Sequence, residues 1–238
     1  MSNLENYMKQ QAIFCEQNDS ISKNLYSEYG VKRGLRDEKG QGVLTGLTNI
    51  SDIKAFEYHD GVKSPCDGEL SYRGYNIKDL VTGSKGKRFV FEEGAYLLLF
   101  GELPTDTQLM EFQGRLSDCM ELPTNFTRDV IMKAPTADIM GSMTRSILTL
   151  GSYDKEKESL EIPNVLRQSM QLIAAFPMLA VYAYHAYCHY EKNESMYIHR
   201  PEKDLSIAEH FLRLLRPDTK FTELEARVLD IALLLHMD

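Results

Sequence analysis

Apolar residues recur at helical spacing through most of this chain, and the pattern is clearest in its last stretch. From Phe221 to Asp238, Leu224, Val228, Leu229, Ile231, Ala232 and Leu235 gather on one side of a helix. Thr222 and Glu225 frame the start as a capping box: the threonine hydroxyl accepts from the backbone N–H three residues on, and the glutamate reaches back. No Gly, Asn or Pro follows to close this helix. It breaks off at Leu234-Leu235-His236-Met237-Asp238, with a lone histidine after an apolar run. The chain therefore reads as a piece of a longer protein, cut beside a functional segment, with Leu229, Ala232 and Leu235 facing absent partners.

The same period runs back to Ile77. Phe91 to Phe100 is compact and apolar, and Gly101 is placed to end a helix there. Thr105 and Gln108 form a second capping box, opening a helix through about Cys119. Helices are predicted over Thr127–Lys133 and Ala137–Leu150, separated by Ala134-Pro135. A charged loop spans Tyr153 to Glu161. Asn164 begins the longest helical stretch, to about Tyr190. Pro177 inside it is expected to kink it, because the ring removes one hydrogen bond and crowds the preceding turn. After a polar loop over 191–204, Ser206 and Glu209 make a third capping box for a helix to about Leu215, and Pro217-Asp218 turns the chain.

Two segments differ. Residues 2–29 have the pattern of a mostly polar helix, interrupted near Asn18-Asp19-Ser20 and stopped by Gly30. Residues 40–75 are punctuated by glycines, with Asp60-Gly61 and Asp67-Gly68 as turn dipeptides. Phe56-Glu57-Tyr58 and Glu69-Leu70-Ser71-Tyr72 are the predicted strands, giving one or two small hairpins that cannot carry a fold alone. The expected class is all-α, multi-helical, with a minor N-terminal β-hairpin element. No linker divides the chain, and there is no internal repeat.

With 43% hydrophobic and 26% charged residues, the composition is that of an ordinary globular protein. The net charge of −8 argues against nucleic acid as a partner, since neutralising phosphates needs a basic surface. It also argues against an anionic membrane, and leaves room for a local basic pocket. Cys15, Cys66, Cys119 and Cys188 are scattered, as in a protein with reduced thiols. The start lacks a signal-peptide pattern and no run approaches the roughly 20 apolar residues of a bilayer span, so the expected location is cytoplasmic.

Little of the chain looks like chemistry. His185, Cys188 and His189 share metal-ligand types one turn apart, but no third ligand has a spacing argument, and packing is the favoured reading. No metal is assigned. Gly40-Gln41-Gly42 lacks the rest of a dinucleotide-binding motif and is assigned to turn geometry. In Tyr72-Arg73-Gly74-Tyr75 the favoured reading is structural, with Arg73 bonding carbonyls and Gly74 supplying an unusual backbone angle. His236 is the remaining candidate: usually a satisfied core histidine in such a setting, otherwise a donor or acid–base group in a substrate site.

Several pieces resemble one family in order and spacing. Tyr72-Arg73-Gly74-Tyr75-Asn76-Ile77 resembles the RGY-x-I signature of citrate synthases. The run from Phe91 through Gly101-Glu102-Leu103-Pro104-Thr105 is similar to their EE-x-A-Y-L-L-L-x-G-E-L-P-T helix and turn. Leu172-Ile173-Ala174-Ala175-Phe176-Pro177 is similar to their L-I-A-x-F-P helix, and Leu233-Leu234-Leu235-His236-Met237-Asp238 resembles the opening of L-x-L-H-x-D/E-H. The resemblance covers about residues 30–238. One departure is Ala134-Pro135-Thr136-Ala137-Asp138, where many relatives have H-P-M-D, so no role tied to that histidine carries over.

The resemblance implies residues 1–30 as an N-terminal helical extension and 31–238 as an incomplete large helical domain of a homodimer. It implies condensation of acetyl-CoA, as co-substrate, with oxaloacetate and water to give citrate and CoA, and no permanently bound cofactor. A 2-methylcitrate synthase using propionyl-CoA is the near alternative, and a non-catalytic helical interaction module the distant one. The family's catalytic His, His and Asp follow the point where this sequence stops. No catalytic residue is therefore assigned within 1–238, His236 is assigned to substrate binding, and the chain alone is expected to be inactive.

Overall fold

The computed structural model describes residues 49–237 throughout and, before them, Tyr7, Gln11, Ala12, Ser22, 24–30, Lys32, 34–36, Gly40, Gly42, Val43 and 46–48. It divides into two units, Met1–Thr48 and Asn49–Asp238. In the first, Tyr7, Gln11, Ala12 and the short helix α1 (Asn24–Glu28) are helical. Gly30 ends this segment at φ +62°, a conformation glycine adopts without strain. Gly42 makes an isolated antiparallel bridge with Arg36, and Gly40 has φ +77°, which fits the turn assignment of this glycine pair. The expected interruption at Asn18-Asp19-Ser20 lies outside the described residues, as does Cys15.

The second unit opens with a three-stranded antiparallel sheet, β1 (Ser51–His59), β2 (Val62–Tyr72) and β3 (Tyr75–Asn76), in that order. Asp60 and Gly61, at φ +51° and +79°, form the two-residue turn that the dipeptide predicts. Asp67-Gly68 does not turn the chain: both residues lie inside β2. The pairing steps from Lys54↔Glu69 to Phe56↔Pro65, so Cys66, Asp67 and Gly68 face the single residue Ala55. The dipeptide is absorbed as a bulge, because pairing on both sides of it outweighs its turn preference. A second two-residue turn, Arg73-Gly74, both at positive φ, brings Tyr75 back beside Tyr72.

Helices follow: α2 (Ile77–Gly83), α3 (Val90–Phe100), α4 (Asp106–Asp118), α5 (Ile139–Gly151), α6 (Ile162–Lys192), α7 (Ile207–Leu215) and α8 (Glu223–Leu234). All three sequence-read capping boxes form in both halves, at Thr105/Gln108, Ser206/Glu209 and Thr222/Glu225. Gly101, at φ +87°, closes α3 with its N–H on the Leu97 carbonyl at 2.8 Å. Residues 127–131 differ from expectation, forming a π-helical turn rather than an α-helix. There the Met132 N–H reaches the Thr127 carbonyl five residues back. This wider turn lets Phe126 and Ile131, five apart, be buried together in the main core.

That core surrounds α6, which runs uninterrupted past Pro177. Ala174, Ala175, Met178, Leu179, Val181 and Ala183 are all buried, so the middle of α6 is apolar nearly all round. A second cluster joins the sheet to the helices through Tyr72, Ile77, Val90, Leu97 and Leu234. Among the described residues, no helix is long and apolar enough to cross a membrane.

Candidate functional site

The candidate site lies where the end of α8 meets α3 and the base of the sheet. Contacts far apart in sequence fix that junction. The buried Tyr72 hydroxyl donates to the Leu234 carbonyl at 3.0 Å. Arg73 donates through Nε and Nη2 to the Leu98 carbonyl, at 3.3 and 2.8 Å. The structural reading of the aromatic–cation motif therefore holds: Tyr72 secures α8, Arg73 secures α3, and Gly74 completes the turn that presents both. Gly94 of α3 lets α8 approach closely, since a Cβ there would stand 2.4 Å from Leu234 Cδ1 and 3.0 Å from Met237 Sδ.

His236 sits one residue before Met237 on this anchored end. Its Nδ1 is 2.7 Å from the Ala232 carbonyl. A carbonyl only accepts, so Nδ1 carries the hydrogen. That assignment makes Nε2 the acceptor nitrogen of the neutral ring, on an exposed side chain. Neutral, it accepts a hydrogen bond; protonated, it donates one and carries charge. The arrangement is that of an exposed ring with one nitrogen fixed, not of a satisfied core histidine. On the outer face of α8, Leu224, Val228 and Leu235 are exposed at 72%, 61% and 43%. Leu229 and Ala232, expected there, are half-buried instead, because the face carrying Ala226, Asp230 and Leu234 is the one packed inward.

Two buried carboxylates that the sequence pattern did not single out join α8 and α7 to α3. Asp230 is buried, and its two oxygens accept from the backbone N–H groups of Val90 and Phe91, both at 2.9 Å. It thus satisfies the start of α3, where Phe89 has φ +60° and no side chain of its own caps the helix. Glu92, 1% exposed, accepts from the Ile207 N–H at 2.7 Å with Oε1, while Oε2 has no hydrogen-bond partner among the described residues. Burial first, and the Asp230 charge second, push its carboxyl up to about 8. A signal for Asp230 was present: it sits four residues from both Ala226 and Leu234, an acid inside an apolar stripe. Glu92, beside Phe91 and Val90 in another apolar run, is the same kind of signal.

A cleft of about 590 Å³ beside Asp230 gathers Lys87, Arg88 and Arg227. It is not a basic anion pocket, because each cation is already engaged. Lys87 pairs with Glu93 at 3.0 Å and Arg88 forks onto Glu209. Arg227 donates to the Lys87 carbonyl and the Ser84 hydroxyl. The helical His185, Cys188 and His189 do not converge. His185 Nε2 donates to the Leu214 carbonyl, His189 Nδ1 to the Glu194 carbonyl, and Cys188 is buried.

The sequence model of the family described as citrate synthase, C-terminal domain, matches residues 35–238. The chain is 32% identical over 170 residues to a 2-methylcitrate synthase of Shewanella oneidensis, covering 71% of this chain and 41% of that protein. It is 29% identical over 208 residues to a citrate synthase of Saccharolobus solfataricus, covering 87% and 48%. Its fold is similar to the crystal structure of citrate synthase from Pyrobaculum aerophilum, with a TM-score of 0.67 and 25% identity over 87% of this chain and 50% of that one. The chain spans less than half the length of both of these curated relatives.

Proposed function

We propose, from the premise that the chain belongs to the citrate synthase family, that it supplies the helical scaffold and one pocket residue of an enzyme joining acetyl-CoA to oxaloacetate. Water then releases citrate and CoA. The observation that carries this reading is His236, held by Ala232 on an end of α8 that Tyr72, Gly94 and Asp230 fix in place. A fixed imidazole edge suits a dicarboxylate: protonated, its Nε2–H donates to a carboxylate or keto oxygen. Carbon–carbon bond formation also needs a base for the acetyl C–H and donors at the developing oxyanion. We assign neither to residues 1–238, so the chain alone is inactive under this reading, and acetyl-CoA is a co-substrate rather than a resident cofactor.

The test is the intact mass of the native protein from its source, measured beside a thiol-release assay with acetyl-CoA and oxaloacetate. The reading expects a mass well above that of 238 residues, citrate formation by that native protein, and none by the pure 238-residue chain. Turnover by the pure chain refutes the division of labour. A native protein of this length without activity refutes the enzyme reading. The Shewanella relative's name supports a second substrate, propionyl-CoA giving 2-methylcitrate. The same assay with propionyl-CoA separates the two.

A second copy of the chain is the proposed partner. Met140 and Leu148 stand two turns apart on α5, each 73% exposed, and Leu160 and Ile162 before and at the start of α6 are 87% and 82% exposed. Large apolar side chains left exposed on neighbouring elements suit an interface more than water. Sedimentation of the 238-residue chain at micromolar concentration is expected to give a dimer that Leu148→Glu dissociates. A wild-type monomer removes the proposal.

A further inference from the structure

Glu92 is a buried titratable group with no part in the function proposed above. Its surroundings leave its charge uncompensated. From α8 it faces Asp230, a second buried carboxylate, which in turn senses Arg227, whose donors go to Ser84 and the Lys87 carbonyl. From α7 it faces Glu209, which is held by Arg88. From the segment before α3, Arg88 senses Glu92 but directs its donors to Glu209 and the Asp204 carbonyl. Lys87 pairs with Glu93 on Glu92's own helix. The Ile207 N–H and Glu92's own backbone N–H favour the charged form of the carboxyl, and among the described residues Oε2 has no hydrogen-bond partner.

The two carboxyls also interlock three helices. Glu92 of α3 holds the first N–H of α7, and Asp230 of α8 holds the first two N–H groups of α3. We propose that Glu92 and Asp230 form a proton-operated latch: protonated Glu92 keeps α7 and α8 locked on α3, and its ionisation loosens the end of α8 that carries His236. The physical basis is that an ionised Glu92 would place a second negative charge beside Asp230 in a water-poor interior, where like charges repel strongly. Asp230 and Glu209, the two carboxylates that Glu92 senses, both border an open cleft. The latch is independent of what His236 binds.

The sign follows from linkage. The folded chain holds the Glu92 proton up to about 8, whereas an unfolded glutamate loses it near 4.5. The stabilising contribution is therefore complete below the unfolded value and is lost as pH rises through the folded one. In urea titrations of the 238-residue chain, the unfolding constant of the wild type is expected to rise between about pH 5 and pH 8. The rise should exceed that of Glu92→Gln by up to about tenfold per pH unit. Hydrogen exchange supplies the local readout. After correction for intrinsic rates, protection of the Leu235 and His236 amides should fall about tenfold or more between neutral pH and pH 9 in the wild type, and stay level in Glu92→Gln. If Glu92→Gln does not fold, ¹³C-carboxyl titration of wild-type Glu92 decides: a midpoint near 8 supports the latch. Equal pH slopes in the two proteins, or an ordinary glutamate midpoint, overturns it.

Discussion

Asp230→Ala is expected to lose roughly 3–4 kcal/mol of stability, read as a lower urea midpoint at unchanged slope. The reason is the pair of N–H groups it leaves behind. Val90 and Phe91 donate to Asp230 in the interior, and Phe89 offers them no side-chain acceptor. A buried donor stripped of its acceptor costs about 1–3 kcal/mol, because neither water nor protein replaces the bond. One term runs the other way: removing the Asp230 charge relieves Glu92, whose carboxyl that charge helps to push up. It offsets only part of the loss, since Asp230 is the second cause there and burial is the first. Asp230→Asn keeps one acceptor oxygen and should fall about midway between wild type and alanine. A loss under about 0.5 kcal/mol for the alanine variant would show that α3 does not depend on Asp230 for its start.

Two helix glycines should respond in opposite directions to a side chain. Gly94→Leu is expected to cost about 3 kcal/mol or more, because its first added carbon already stands 2.4 Å from Leu234 Cδ1 and 3.0 Å from Met237 Sδ. Leu234 cannot swing aside cheaply, being 1% exposed and packed with Tyr72, Val90 and Leu97. The strain falls on the segment carrying His236, so the variant should also change the His236 imidazole resonances in an NMR spectrum. Gly114, within α4, has nothing among the described residues within 4 Å of the added carbon. Gly114→Ala should therefore gain about 0.5–1 kcal/mol from helix propensity alone. Equal effects at the two positions would mean that the close approach of α3 and α8 does not limit packing there.

Much of the secondary structure was legible in the residue pattern, and the reason is locality. The three capping boxes, the Gly101 stop and the Asp60-Gly61 turn each involve residues within a few positions of one another, and each formed as read. The family was legible too, because its motifs are local strings in a fixed order, and the matched span begins close to where the resemblance does. Where local signals failed, a longer-range interaction overrode them. Strand pairing on both sides carried Asp67-Gly68 straight through β2. Burial of Phe126 and Ile131 together widened the turn at 127–131.

The site divides along the same line. The sequence by itself determined that α8 is a capped amphipathic helix and that His236 follows its apolar run. Only the tertiary structure decided which face of α8 turns inward, leaving Leu229 and Ala232 half-buried and Leu224 and Val228 outside. Only it brought the Tyr72 hydroxyl to the Leu234 carbonyl, 162 positions away, and Asp230 to the start of α3, 140 positions away. A residue's periodicity is set by its near neighbours along the chain. The partner of a buried polar group is set by whichever distant segment packs against it, and the pattern of one strand or helix carries no record of that segment.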